Sequence, residues 1–421
     1  MKKIILTGLT AAILFSCSSQ KSETAENTST TELTAVQQET QAFLDEYSKT
    51  YQNLYTKSAE AEWASNTKIV EGDSTNAVAT RKANEAFAAF TGSVENIEKA
   101  RKFLEQENQL TPIQVKQLEA ILYAAANNPQ TVPAVVKARI KAETEQTEKL
   151  YGYDYRLAGK SVTTNDIDNI LKTENDVKKR LAAWSASKEV GPGLKPGLLN
   201  LRDLRNKTVQ SLGYDDYFTY QASDYGMTRE EMMDMMQQIN KELLPLYREL
   251  HTYARYELAK KYGVKEVPDY LPAHWLPNRW GQDWSAMVEV KGIDLDGALK
   301  QKGDKWLVEQ AERFYVSLGF DKLPESFYTK SSLYPLPPNA GYKKNNHASA
   351  WHMDLDKDVR SLMSVEPNAE WYETTHHELG HIYYYMSYTN PDVPVLLRGG
   401  ANRAYHEAIG SLMGLAAMQK P

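Results

Sequence analysis

The 421-residue chain has a single cysteine, Cys17, and only eight histidines. One thiol excludes an intramolecular disulfide and any cysteine-built zinc site, so the fold must be held by packing. Positive charge is in short supply: 49 Lys and Arg stand against 55 Asp and Glu, for a net charge of −6. The basic residues are scattered along the chain, which excludes a nucleic-acid-binding face. The N-terminal apolar run, residues 4–15, is shorter than the ~20 residues a membrane-spanning helix needs. No fixed-period repeat occurs, which argues against a repeat array.

What is present begins with that short run. Lys2 and Lys3 precede it, the arrangement of an export signal. Cys17 follows Leu14-Phe15-Ser16 and resembles the lipobox cysteine of bacterial lipoproteins, which is lipidated and becomes the new N-terminus. The expectation is an exported bacterial protein anchored to a membrane through Cys17. Residues 1–17 would be signal and lipobox, the polar Ser/Thr-rich residues 18–35 a flexible tether, and 36–421 the folded domain.

The folded part reads as helical. Phe43, Tyr47, Tyr51, Leu54 and Tyr55 recur at steps of three and four, one apolar stripe on a long helix. Similar patterning predicts helices over 75–107, 111–127, 130–150, 164–185, 198–212, 228–262 and 296–318. Met232, Met233, Met235 and Met236 are expected near a core. Pro- and Gly-rich breaks are expected at 190–197, 263–281 and 334–346. Two apolar-rich segments around "DKD" in "HASAWHMDLDKDVRSLMSV" predict a β-hairpin, either an edge for an extended peptide or a short structural cap on the helices.

The chemistry concentrates in "THHELGH", residues 375–381. Residues four apart on a helix lie about 40° apart around its axis, so His377 and His381 project from one face as two ligands of one metal would. His376 and His381, five apart, diverge by about 140° and cannot share an ion. Glu378 sits beside the ligand face, where a carboxylate reaches a metal-bound water without binding the metal. A catalytic zinc usually takes a third protein ligand. The segment "GGANRAYHEAIGSLMGLAAM" reads as another amphipathic helix, with His406 and Glu407 as its metal-capable residues and Glu407 the stronger candidate.

"HHELGHIYYYM" followed by "LLRGGANRAYHEAIG" resembles the zinc-site region of the angiotensin-converting enzyme family of peptidyl-dipeptidases. "FLDEYSKTYQNLYTKSAEAEWASNTKI", "RWGQDWS" and "HASAW" match the same family in order. The resemblance implies a mainly α, zincin-type metallopeptidase with a small β-hairpin beside the zinc helix and a deep cleft between two helical halves. It implies one Zn2+ held by His377, His381 and Glu407, with Glu378 as general base, and admits chloride as a second ion. His347 and the Ala348 backbone match positions that hold the substrate main chain, and Gln282 a position that binds its terminal carboxylate. Short peptides would be the partners and C-terminal dipeptides the products.

Two departures stand out. Ser411 occupies the place of an Asp that supports a zinc-binding histidine in the family. The family also continues past the point matching Pro421 with further substrate and oxyanion groups. The resemblance therefore implies an incomplete second half, and weak zinc binding with little turnover by the 421-residue form. The rival readings are a zinc- or peptide-binding protein without turnover, and a helical surface lipoprotein in which the HExxH pattern is accidental.

Overall fold

The structure is a computed structural model that describes residues 33–287, 292 and 294–419. The expected signal, Cys17 and most of the tether lie outside the described residues. The N-terminal part comprises α1 (Ala35–Thr67), α2 (Thr75–Thr91), α3 (Val94–Leu104), α4 (Pro112–Asn127) and α5 (Pro133–Tyr151). A first hairpin follows, β1 (Tyr155–Leu157) and β2 (Lys160–Val162), then α6 (Thr164–Thr173), α7 (Val177–Ala186), α8 (Val190–Gln210), α9 (Tyr217–Ser223) and α10 (Arg229–Lys261). The remainder runs α11 (Leu295–Lys300), α12 (Asp304–Ser317), α13 (Glu325–Lys330), β3 (Ser349–His352), β4 (Val359–Leu362), α14 (Ala369–Tyr388) and α15 (Arg403–Ala417). The chain is mainly helical, as expected, with two small antiparallel sheets where one hairpin was predicted.

Helix boundaries follow caps that periodicity alone does not register. The helix expected over 75–107 is two, because Gly92 and Ser93 interrupt it. A Cβ at Gly92 would collide with the Asn128 carbonyl oxygen, and Ser93 Oγ accepts the Asn96 N–H (3.2 Å) to start α3. The stretch 164–185 likewise divides where Asp176 caps α7 through the N–H groups of Lys178 and Lys179.

Two expectations are corrected, and one element is additional. Residues 190–197 are not a break, since α8 runs through them. Pro192 falls in the first turn, where its missing N–H would have had no intrahelical partner. Pro196 costs an interior hydrogen bond, which the packing of α8 on α5 offsets. Of the α10 methionines expected near a core, Met232 is half-buried while Met233, Met235 and Met236 are exposed. The first hairpin was not anticipated, although its two-residue loop, Ala158-Gly159 at φ 51° and 80°, is the tight turn that joins antiparallel strands.

The second hairpin and its surroundings position the site. β3 and β4 pair antiparallel, Trp351 opposite Arg360, and Asp354 Oδ1 shapes the turn by accepting the N–H groups of Asp356 (2.8 Å) and Asp358 (3.0 Å). α1 lies along this hairpin. Gln52 Nε2 donates to Asp354 O (2.8 Å), Tyr55 Oη to His352 O (3.0 Å), and Arg360 pairs with Glu60 while stacking over Trp63. Behind the hairpin, Leu307, Val308, Ala311 and Tyr315 of α12 form one core with Val359 of β4 and with Leu379, Ile382 and Tyr383 of α14.

Candidate metal centre

Asn368 starts α14 by accepting the Trp371 N–H (2.9 Å), and Asn402 starts α15 by accepting the Tyr405 N–H (3.1 Å). The two helices approach at a pair of glycines. A Cβ at Gly380 would lie 2.9 Å from Gly410 Cα, and a Cβ at Gly410 would lie 2.9 Å from His377 Nε2. A side chain at Gly380 would press on the α15 backbone, and one at Gly410 would displace the His377 ring. That contact brings Glu407, one turn before Gly410, to the histidine face of α14.

His377 Nε2 and His381 Nε2 stand 3.1 Å apart. Glu407 Oε2 lies 3.5 Å from the first and 3.9 Å from the second. Ligand bonds of about 2.0–2.1 Å at tetrahedral angles place donor atoms roughly 3.3 Å apart, so these three groups fit a zinc-sized ion. The group is the one cluster of this kind found among the described residues, with its donor atoms within 4.8 Å of one another. His376 turns elsewhere: its Nδ1–H donates to Tyr372 O (2.7 Å) and its ring lies against Phe314.

Glu378 is buried, and its Oε2 has no hydrogen-bond partner. Burial, reinforced by the Glu407 carboxylate, pushes Glu378 up to about 8. A buried carboxylate oxygen with nothing to bind, beside a converging donor set, is a group with an unmet chemical demand. Burial and the neighbouring His377 hold His381 below the usual imidazole range, which favours the neutral form that can bind a metal.

Other expected residues are placed less centrally. Ala348 immediately precedes β3 and packs partly against the core, while His347 is exposed beside it. The Met353 N–H bond to Asp358 O fixes which backbone groups of β3 face β4; those of Ala350 and His352 face outward. Their carbonyls already accept the hydroxyls of Tyr385 (3.2 Å) and Tyr55 (3.0 Å), so the open edge narrows to the Ala348 end. Gln282 is exposed on a loop, its N–H donated to Asn278 Oδ1 (3.0 Å), and is not among the residues gathered at the metal group. Ser411 is exposed on α15.

His406, the weaker of the two metal-capable residues on its helix, takes a place beside a ligand candidate. His406 Nδ1 lies 3.2 Å from His381 Nδ1, and the His406 ring sits against Tyr384 and Tyr385, at 4.6 and 4.9 Å between centroids. Burial, with His381 and His352 nearby, lowers His406 to about 4. The signal was available: His381, Tyr384, Tyr385 and Tyr388 fall at i, i+3, i+4 and i+7, one stripe that a facing side chain would meet.

No helix among the described residues is long and apolar enough to cross a membrane. The family model for angiotensin-converting enzyme matches residues 34–420. Angiotensin-converting enzyme of Mus musculus is 30% identical over 395 residues, covering 89% of this chain and 28% of the relative. That of Mesocricetus auratus is 28% identical over 394 residues, 90% of this chain and 29% of the relative. The Rattus norvegicus enzyme is 34% identical over 266 residues, 60% of this chain and 20% of the relative. The chain thus spans less than a third of the length of these curated relatives. With the match running across nearly all of the described fold and through both helices of the metal centre, the chain belongs to the angiotensin-converting enzyme family.

Proposed function

We propose that the chain is a zinc-dependent peptidyl-dipeptidase that releases C-terminal dipeptides from short peptides. The observation that carries this reading is the convergence of His377, His381 and Glu407 beside the unpartnered, buried oxygen of Glu378. The two imidazoles would hold zinc through Nε2 and Glu407 through its carboxylate. Zinc bound there supplies Lewis-acid polarisation of a peptide carbonyl and acidification of a water.

The chain's own groups do the rest. Glu378 Oε2 takes the proton of the attacking water and returns it to the leaving amine, a role suited to a carboxylate whose burial raises its proton affinity. The Ala348 end of β3 receives the substrate main chain by backbone hydrogen bonds, with His347 beside it. Gln282 takes the substrate's terminal carboxylate. Export and a lipid on Cys17 would hold the enzyme at a bacterial membrane surface.

A second reading, metal or peptide binding without turnover, is favoured by one observation: the Glu407 side chain is 70% exposed, so water competes for its carboxylate. Metal analysis of purified protein together with hydrolysis of one short peptide, as free acid and as C-terminal amide, separates the readings. The expected result is one zinc per chain, chelator-sensitive cleavage, and a strong preference for the free acid. Equal rates on acid and amide would remove the dipeptidase assignment, and stoichiometric zinc without cleavage would favour the second reading. Glu407→Ala should lose the metal; zinc retained at full stoichiometry would place the third ligand elsewhere.

A further inference from the structure

We infer that His406 is the positioning residue for the His381 imidazole: it accepts the Nδ1–H of His381 and so fixes which nitrogen faces the metal. This rests on the zinc reading above. His381 directs Nε2 to the donor cluster, 3.1 Å from His377 Nε2, and Nδ1 to His406 Nδ1 at 3.2 Å. A neutral imidazole that ligates through Nε2 carries its hydrogen on Nδ1. His406 Nδ1 must then be the acceptor, which puts the His406 hydrogen on Nε2. That nitrogen lies 3.3 Å from Tyr388 Oη, which can accept it. The donors therefore run one way, from His381 to His406 to Tyr388, and each tautomer is set by the next partner.

The surroundings hold this order in place. Tyr384 and Tyr385 flank the His406 ring at 4.6 and 4.9 Å and restrict its rotation. The partners come from both helices, since His381, Tyr384, Tyr385 and Tyr388 lie on α14 and His406 on α15. The Gly380–Gly410 contact therefore delivers two groups at once: Glu407 to the donor cluster and His406 to the far side of His381. Metal-ligating histidines usually give their outer N–H to a carboxylate, a carbonyl or water. Here the acceptor is a second imidazole, while Ser411 stays exposed.

The test is zinc affinity, read by chelator competition at one pH on the full chain, with circular dichroism as the check on folding. His406→Leu removes the acceptor and is expected to weaken zinc about 10- to 100-fold. His406→Gln keeps an oxygen to accept from His381 and an amide N–H to donate to Tyr388, and should recover most of that loss. Tyr388→Phe, which leaves His406 intact but removes its acceptor, should weaken zinc by a few-fold. Folded His406→Leu protein with wild-type affinity would overturn the inference, as would equal losses in the Leu and Gln variants, the mark of packing alone. Should the Leu variant fail to fold, Tyr388→Phe decides: weakened zinc supports the inference and unchanged zinc overturns it. Wild-type protein that takes up no zinc overturns the metal reading and this inference with it, whereas zinc uptake indifferent to His406 overturns only the latter.

Discussion

α10 and α14 are both long helices rich in apolar and aromatic residues, yet they end in opposite environments. α10 spans 33 residues and buries Ala254, Leu258 and Ala259, leaving Leu243, Leu246, Tyr247 and Tyr256 exposed. α14 spans 20 residues and buries eight, among them His376, Glu378 and His381. Local signals support α10 strongly. Thr228 and Glu231 form a capping box at its start, and Lys260 and Lys261 sit in its last turn, where positive charge complements the helix dipole. α14 is enclosed by α12, β3, β4 and α15. Local sequence makes each of them a helix, but the neighbours decide whether its side chains lose water. That loss is what raises Glu378 and lowers His381, so the titration shifts at the candidate metal centre come from enclosure rather than from the helix itself.

The comparison breaks most sharply at Glu378. Glu378→Gln should leave zinc stoichiometry intact, since this residue lies outside the His377, His381 and Glu407 group, and lower peptide hydrolysis on the order of 10²-fold or more. Loss of zinc, or turnover near wild type, would remove Glu378 from the base role. Gly410→Val places atoms against the His377 ring and should cost about 1–3 kcal/mol in urea unfolding, with weakened zinc binding. A neutral effect on both would mean that the α14–α15 contact yields easily and that glycine is not required there.

Lys344 sharpens the enclosed side of the comparison through pH. Its ammonium is buried and donates to the carbonyls of Tyr334 (2.6 Å) and Met363 (2.5 Å) and to Ser332 Oγ (3.0 Å). Burial lowers it from the usual 10.5 to about 8. Above 10.5 both folded and unfolded chains are neutral at this group and no charge is buried. As pH falls from 10.5 to 8 the unfolded chain takes the proton first, so stability declines; below 8 both hold it and the dependence flattens. Unfolding free energies of wild type should therefore rise between pH 8 and 10.5 relative to Lys344→Met. A constant difference between the two across that window would refute the burial account. On the open side, Leu246→Ala and Tyr256→Ala in α10 should change stability by less than about 0.5 kcal/mol. Losses above 2 kcal/mol would show that this helix is covered in solution.

Much of this was determined locally. The four-residue step from His377 to His381 places two imidazoles on one face wherever the helix forms, because helical geometry alone sets that angle. It also sends His376 away. The second hairpin was legible in the apolar segments around Asp356-Lys357-Asp358, and a helical class in the three- and four-residue spacing. Capping residues such as Ser93 and Asp176 are local signals too, and they set helix ends that periodicity does not mark. Other features had no local cause. Residues 190–197 became helix despite two prolines because α5 packs against α8, and Met233, Met235 and Met236 of α10 stayed exposed because few elements among the described residues lie over them. The approach of Glu407 and His406 to His381 depends on two glycines 30 positions apart, Gly380 and Gly410, meeting without side chains. Spacing along one helix is a property of the chain, whereas the separation between two helices is decided by which surfaces bury each other, and that exists only in the folded protein.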